Sequence, residues 1–314
     1  MFPAYLALHR SGELAERARR AVERLASCDL CPRLCGADRT AGQVGFCGVG
    51  RKAVVAAFNP HFGEEAVLVG ERGSGTVFFA GCNLGCVFCQ NHDISHEPDA
   101  GLPATPAELA GVMLELQKQG CHNINFVTPS HVVPQILEAL PIAADHGLRL
   151  PLVYNTGAYD TVETLELLDG VIDVYMPDVK VWSRHVAGEF LLAEDYPERA
   201  RAAVREMFRQ VGRLATDSDG VAMRGLLVRH LVLPDDLAGT KDWMRFLSGL
   251  SPGVHVNIMG QYRPCGRAGE ISGLDRIVTR CEYLRAVEAA KLAKLACLDP
   301  DCVDTLEKMG RKLH

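Results

Sequence analysis

From residue 76 onward the chain alternates short apolar runs with longer amphipathic stretches. TVFFA, NINFVTP, PLVYN, VIDVYM, GLLVRHLVLP and GVHVNIM begin at residues 76, 123, 151, 171, 225 and 253. Their enrichment in Val, Ile and Phe predicts six strands. Helical segments are expected between them. Thr105-Pro106-Ala107-Glu108 has the pattern of a capping box with proline at the first helical position, and Gly120 is a natural stop. Asp160-Thr161-Val162-Glu163 opens a later helix in a similar way, and residues 197–212 and 238–250 complete the series. Alternation at this spacing implies parallel strands joined by right-handed crossovers. Six such units fit an open doubly wound sheet or an incomplete barrel, and the periodicity alone does not choose between them. Both put chemistry at the C-terminal ends of the strands.

Before residue 76 the pattern is different. Leu14, Ala18, Ala21, Val22 and Leu25 form a helical stripe over 12–26. CDLCPRLCGADRTAGQVGFCG follows, too rich in turn residues for a helix and too short to fold without a staple. AVVAAF (53–58) and AVLV (66–69) read as edge or flanking strands. This divides the chain into an N-terminal helix with a Cys-rich segment (1–52), a core (53–282) and a C-terminal helical tail (283–314).

Composition narrows the class. Of 314 residues 48% are hydrophobic, with no low-complexity tract, so the chain can bury a large core. No apolar segment approaches the roughly 20 residues a membrane helix needs, and the start lacks the pattern of a signal peptide. A net charge of −6 gives no electrostatic footprint for nucleic acid, which disfavours RNA modification. The twelve cysteines fall into two groups, Cys28, Cys31, Cys35 and Cys47, then Cys82, Cys86 and Cys89, with five scattered. Clustered cysteines without a secretory signal read as metal or redox ligands in a reducing cytoplasm.

The strand ends carry the candidate chemistry. After the predicted strands come Cys82–Cys89, Thr128-Pro129-Ser130-His131, Asn155-Thr156-Gly157, Asp178-Val179-Lys180 and Gln261-Tyr262-Arg263-Pro264-Cys265. Five such edges together point to one shared site. Three closely spaced cysteines are one short of a closed zinc site, so a metal group held by them keeps a position open. His92 and His96, four apart beyond Cys89, read as surface positions or as support behind the ligands. His61, in NPHFGEE beside Glu64 and Glu65, is a weaker candidate for substrate contact.

GCNLGCVFCQN resembles the CxxxCxxC signature of radical S-adenosylmethionine enzymes, placed after the first barrel strand, with the aromatic Phe88 before the last cysteine. The resemblance implies a partial (β/α)6 barrel with a small Cys-rich N-terminal extension. It also implies a [4Fe-4S] cluster on Cys82, Cys86 and Cys89, with S-adenosylmethionine on the fourth iron. Together with CDLCPRLCGADRTAGQVGFCG upstream and MGQYRP downstream, the pattern looks like a family named, by analogy, pyruvate formate-lyase activating enzyme-like, over about residues 28–281.

On that likeness Lys180 pairs with the cofactor carboxylate, while Asp178 helps to form a monovalent-cation site. Asn155-Thr156 stands where the activases have an Asp-Thr pair, one negative charge fewer. Thr128-Pro129-Ser130 replaces their glycine-rich motif, with backbone carbonyls left to bind the cofactor amino group. Phe88, Thr128, Asn155, Asp178 and Lys180 are therefore the expected cofactor-binding residues. The implied activity is reductive cleavage of the cofactor to a 5′-deoxyadenosyl radical for hydrogen abstraction from a glycyl-radical enzyme, another protein or a small molecule. A flavodoxin or ferredoxin would supply electrons. The activases carry extra cysteines after the cluster motif, whereas this chain carries Cys28, Cys31, Cys35 and Cys47 before it. These four suit a second cluster or zinc. A non-catalytic iron–sulfur or zinc protein in electron transfer or assembly is the reading from a different class.

Overall fold

All six runs form strands in the structure, a computed structural model that describes residues 2–300 together with Cys302 and Thr305. In chain order the strands are β1 (Ala53–His61), β2 (Ser74–Phe79), β3 (Leu102–Ala104), β4 (Ile124–Val127), β5 (Leu152–Thr156), β6 (Val174–Pro177), β7 (Ala215–Thr216), β8 (Ala222–Leu231), β9 (His255–Met259) and β10 (Cys297–Leu298). They join in the order β10-β9-β8-β6-β5-β4-β2-β1-β3, with β7 beside β8. From β2 to β9 every neighbour pairs in parallel. β5 and β6 are buried on both faces, as near-continuous apolar runs in parallel sheets demand.

The strand order settles the architecture left open above. The parallel strands follow one another without reversal, so there is no switch point of a doubly wound sheet. Right-handed crossovers then lay the helices Pro106–Lys118, Val133–Asp145, Tyr196–Val211 and Thr240–Leu250 on the same side. Among the described residues β9 does not pair back to β2, whose other edge is taken by the antiparallel β1. The ring stays open, as in a partial barrel. Register brings the strand ends level: Phe78 pairs with Val127, Val127 with Asn155, Thr156 with Pro177, and Asp178 bridges to Arg229.

Two local expectations are corrected. Ala66–Val69 is one turn of helix, not a strand. Both edges of β2 are already paired, by β1 and β4, so the run has no edge to join, and it buries Leu68 and Val69 as a turn instead. Thr161 precedes the short helix Val162–Glu166 but makes no side-chain cap. Its hydroxyl donates to the carbonyl of Leu30, 3.0 Å away, and so ties the N-terminal segment to the barrel. The capping box at Thr105 forms as expected.

Helix Glu13–Glu23 lies against Val133–Asp145 and buries Leu14, Ala18 and Ala21 in the same core as Phe126 and Tyr154. Residues 28–52 that follow contain no helix or strand. At the other end, helix Arg280–Leu292 crosses the expected boundary at 282, and Cys297–Leu298 extends the sheet beside β9. Most of the expected tail beyond residue 300 lies outside the described residues.

Candidate active site

The loop after β2 has no regular structure and is held by its neighbours. Gly81 donates its N–H to the Ile94 carbonyl, Gly85 to Leu191 and Val87 to Phe190, at 2.9–3.1 Å. Gly81 has φ +76°, and a Cβ there would lie 2.4 Å from the Cys47 carbonyl oxygen, so only glycine fits between the loop and the N-terminal segment. So pinned, Cys82, Cys86 and Cys89 all line one cavity of about 360 Å³. The Leu84 N–H donates to Cys82 Sγ (3.3 Å), and Ser95 Oγ lies 3.1 Å from Cys89 Sγ. Burial pushes the Cys82 thiol well up and the Cys86 thiol up to about 12, while the Lys180 ammonium pulls both down. Three sulfurs facing one cavity, one buried and two half-buried, with two of them within reach of a hydrogen-bond donor, suit thiolates neutralised by a metal group.

Opposite the cysteines is a floor of paired charge. Lys180 Nζ is 3.2 Å from Asp178 Oδ2, and Arg229 Nε donates to Asp178 Oδ1 at 2.7 Å. The same guanidinium donates to Glu64 Oε2 (2.8 Å) and Asn155 Oδ1 (2.9 Å). Burial alone would raise Asp178, but Arg229 and Lys180 beside it hold its carboxyl below the usual range. Tyr196 fixes the turn beneath: its hydroxyl accepts the Lys180 N–H at 3.0 Å and lies 2.9 Å from the Asp178 carbonyl oxygen. Glu65 is buried behind this floor, where Asn257 donates to it at 2.8 Å and burial raises its pKa.

The residues expected around a monovalent cation have a partner within the chain. The oxygens of Asn155 and Asp178 converge on Arg229, a cation the chain supplies itself. With Glu64 added, three oxygen groups gather where the side chains are largely buried, and an uncompensated carboxylate there is costly. A guanidinium satisfies them in a fixed fork.

The remaining expected cofactor residues also border the cavity. Phe88 is buried and meets Tyr262 edge to face, 6.2 Å between ring centres. Thr128, with φ +58°, donates its N–H to the Asn155 carbonyl at 2.8 Å. Ser130 instead lies below, its hydroxyl 3.0 Å from Thr156 Oγ1, which donates to the buried Asp160 at 2.7 Å. Gln261 lines the cavity, whereas Tyr262, Arg263 and Cys265 do not. His61 stands on the lining. His92 and His96 are exposed, and His96 reaches Cys89 only through Ser95.

Two residues escaped the sequence reading. Glu64 appeared only as a neighbour of His61, and Arg229 was absorbed into an apolar strand. The signal for Arg229 was a charge inside GLLVRHLVLP, a run otherwise fit for burial.

Cys28, Cys31, Cys35 and Cys47 lie outside the cavity, in the N-terminal segment. Cys28 and Cys31 are buried, Cys47 is half-buried and Cys35 is exposed. Among the described residues, no three His, Cys, Asp or Glu side chains converge on a single-ion position, and this holds for both cysteine sets.

Residues 76–211 match the family model of the Radical SAM superfamily. An uncharacterised protein of Methanocaldococcus jannaschii is 33% identical over 275 residues, which covers 84% of this chain and 74% of the relative. Among solved structures, a radical SAM methyltransferase from Sphaerobacter thermophilus is similar at 15% identity and a TM-score of 0.48, over 71% of this chain and 65% of that one. HydG, a maturase of the FeFe-hydrogenase, is similar at 14% identity and a TM-score of 0.48, over 74% and 53% of the two chains.

Proposed function

The chain belongs to the radical SAM superfamily, and from that premise we propose that it cleaves S-adenosylmethionine reductively and takes a hydrogen atom from a substrate. The observation that carries this reading is the meeting of three cysteines with a charge-paired Asp178–Lys180–Arg229 floor around a single cavity. A [4Fe-4S] cluster held by Cys82, Cys86 and Cys89 would supply one-electron reduction of S-adenosylmethionine, the chemistry that yields methionine and a hydrogen-abstracting 5′-deoxyadenosyl radical.

The chain's own part is to bind, orient and shield. Cys82, Cys86 and Cys89 would hold the iron. Lys180 offers a cation to the cofactor carboxylate, while Asp178, anchored by Arg229, keeps the ammonium in place. Phe88 and Leu84 wall the cavity against water, and the Thr128 and Asn155 edges give polar contacts to the rest of the cofactor. A glycyl-radical enzyme and a small molecule are the two substrate classes the reading admits.

Anaerobically reconstituted, reduced protein is expected to form 5′-deoxyadenosine and methionine from S-adenosylmethionine in equal amounts. Its reduced electron paramagnetic resonance signal should shift when the cofactor is added. No 5′-deoxyadenosine from iron-replete protein would overturn the proposal in favour of a non-catalytic iron–sulfur role. Deuterium from a labelled substrate appearing in the product then separates the two substrate classes. Lys180→Ala should weaken cofactor binding about ten- to a hundredfold, the loss of one charge-assisted contact. Asp178 keeps Arg229 as a partner, so iron content should stay at the wild-type level. Equal affinity by calorimetry would remove Lys180 from the binding site.

A further inference from the structure

Residues 28–50 fold without a core of their own. Turns close around the cysteines: Cys28 N–H donates to the Ala37 carbonyl, Gly36 N–H to Cys28, Leu34 N–H to Cys31 and Gly48 N–H to Gly45, all at 3.0 Å. A Cβ at Gly45 would lie 2.3 Å from Cys35 Sγ, so this turn is shut tightly on that sulfur. The large apolar side chains Leu34, Val44 and Phe46 are exposed. Apolar burial is confined to Leu30, Ala37 and Val49 with Cys28 and Cys31, a small core for a segment without helix or strand, and a bound metal group would add folding free energy.

Arg39 gives the second observation. Its side chain is 1% exposed, and its guanidinium donates to the carbonyls of Gly50 (2.9 Å) and His131 (2.8 Å) and lies 3.8 Å from Cys28 Sγ. Among the described residues no carboxylate is within ion-pair distance of it. A buried cation whose acceptors are neutral carbonyls and one sulfur is costly to leave uncompensated. A metal group carrying four thiolates has net negative charge and would stand beside it.

Spacing selects the kind of group. Cys28, Cys31 and Cys35 are separated by two and three residues, and Cys47 follows after eleven more. Zinc knuckles take their ligands as two pairs, whereas three close cysteines with a distant fourth follow the iron–sulfur habit.

We propose that Cys28, Cys31, Cys35 and Cys47 ligate a second [4Fe-4S] cluster, docked on the outer side of the Cys82–Cys89 loop, with Arg39 as its buried counter-charge. The two loops are in direct contact. The Cys47 carbonyl abuts Gly81, and Arg33 Nε donates to the Asn83 carbonyl at 2.8 Å. With a protein thiolate on every iron, such a centre has no position for S-adenosylmethionine, and its chemistry is one-electron transfer.

Iron, sulfide and zinc analysis of reconstituted protein tests this. Wild type should hold about eight irons per chain, and the Cys82→Ala/Cys86→Ala/Cys89→Ala variant about four. The remaining reduced signal should not respond to S-adenosylmethionine. The complementary Cys31→Ala/Cys47→Ala variant should hold about four irons and keep the responsive signal. Zinc near one per chain in the triple variant, or no metal with four freely alkylated thiols, would overturn the proposal. Should the triple variant fail to fold, unchanged iron in the Cys31→Ala/Cys47→Ala protein overturns it as well. These readouts count metal, so they stand or fall separately from 5′-deoxyadenosine formation by the wild type.

Discussion

With Cys82, Cys86 and Cys89 all replaced by alanine, 5′-deoxyadenosine formation should fall to the level of the buffer control. The cofactor-responsive electron paramagnetic resonance signal should vanish with it. The three sulfurs face the same cavity, and the neighbouring histidines do not replace them there: His92 and His96 are both exposed, and His96 reaches Cys89 only through Ser95. The fold should survive. The loop is pinned through backbone donors at Gly81, Gly85 and Val87, none of which involves a cysteine side chain. Circular dichroism and thermal unfolding of the variant would check that, and turnover retained in a folded triple variant would remove these residues from the chemistry.

Arg229→Met should destabilise the protein by about 3–5 kcal/mol, the usual cost of removing one partner from a buried ionic network. Arg229 is 15% exposed and is shared by Asp178, Glu64 and Asn155. Methionine fills much of the volume but strands two carboxylates and an amide oxygen, of which only Asp178 keeps another cation, Lys180. Arg229→Lys should recover part of the loss, because one ammonium cannot match a fork that spans three acceptors. Urea denaturation with an unchanged slope and a lower midpoint is the expected result. A variant within 1 kcal/mol of wild type would show that the network is not the anchor described above.

What was legible from sequence follows the range of the interactions. The six parallel strands were readable because each is a continuous apolar run, and the cysteine trio because its spacing is local. Asp178 and Lys180 were readable on the same ground, two residues apart and at a strand end. Arg229 was not, because its partner Glu64 is 165 positions away and nothing in either neighbourhood names the other. The link of Asn155 to Asp178 through Arg229 was hidden for the same reason, since the guanidinium that joins them comes from a distant strand. AVLV was misread because four apolar residues fit a strand and a helical turn equally well, and only the occupied edges of β2 decide.

The order of the parallel strands bears on how the protein is made. Because β2, β4, β5, β6, β8 and β9 pair as neighbours in sequence, the sheet can be laid down one crossover at a time as the chain leaves the ribosome. The cysteine loop is complete at Cys89, whereas Arg229 emerges 140 residues later (229 − 89). At translation rates of about 5–20 residues per second, the three thiols are exposed for roughly 7–28 seconds before the charged floor that faces them exists. A nascent chain therefore passes through a stage in which its most oxidisable side chains are ready and their shelter is not. Iron delivered after release meets a finished pocket, whereas iron or oxygen arriving during synthesis meets bare sulfur.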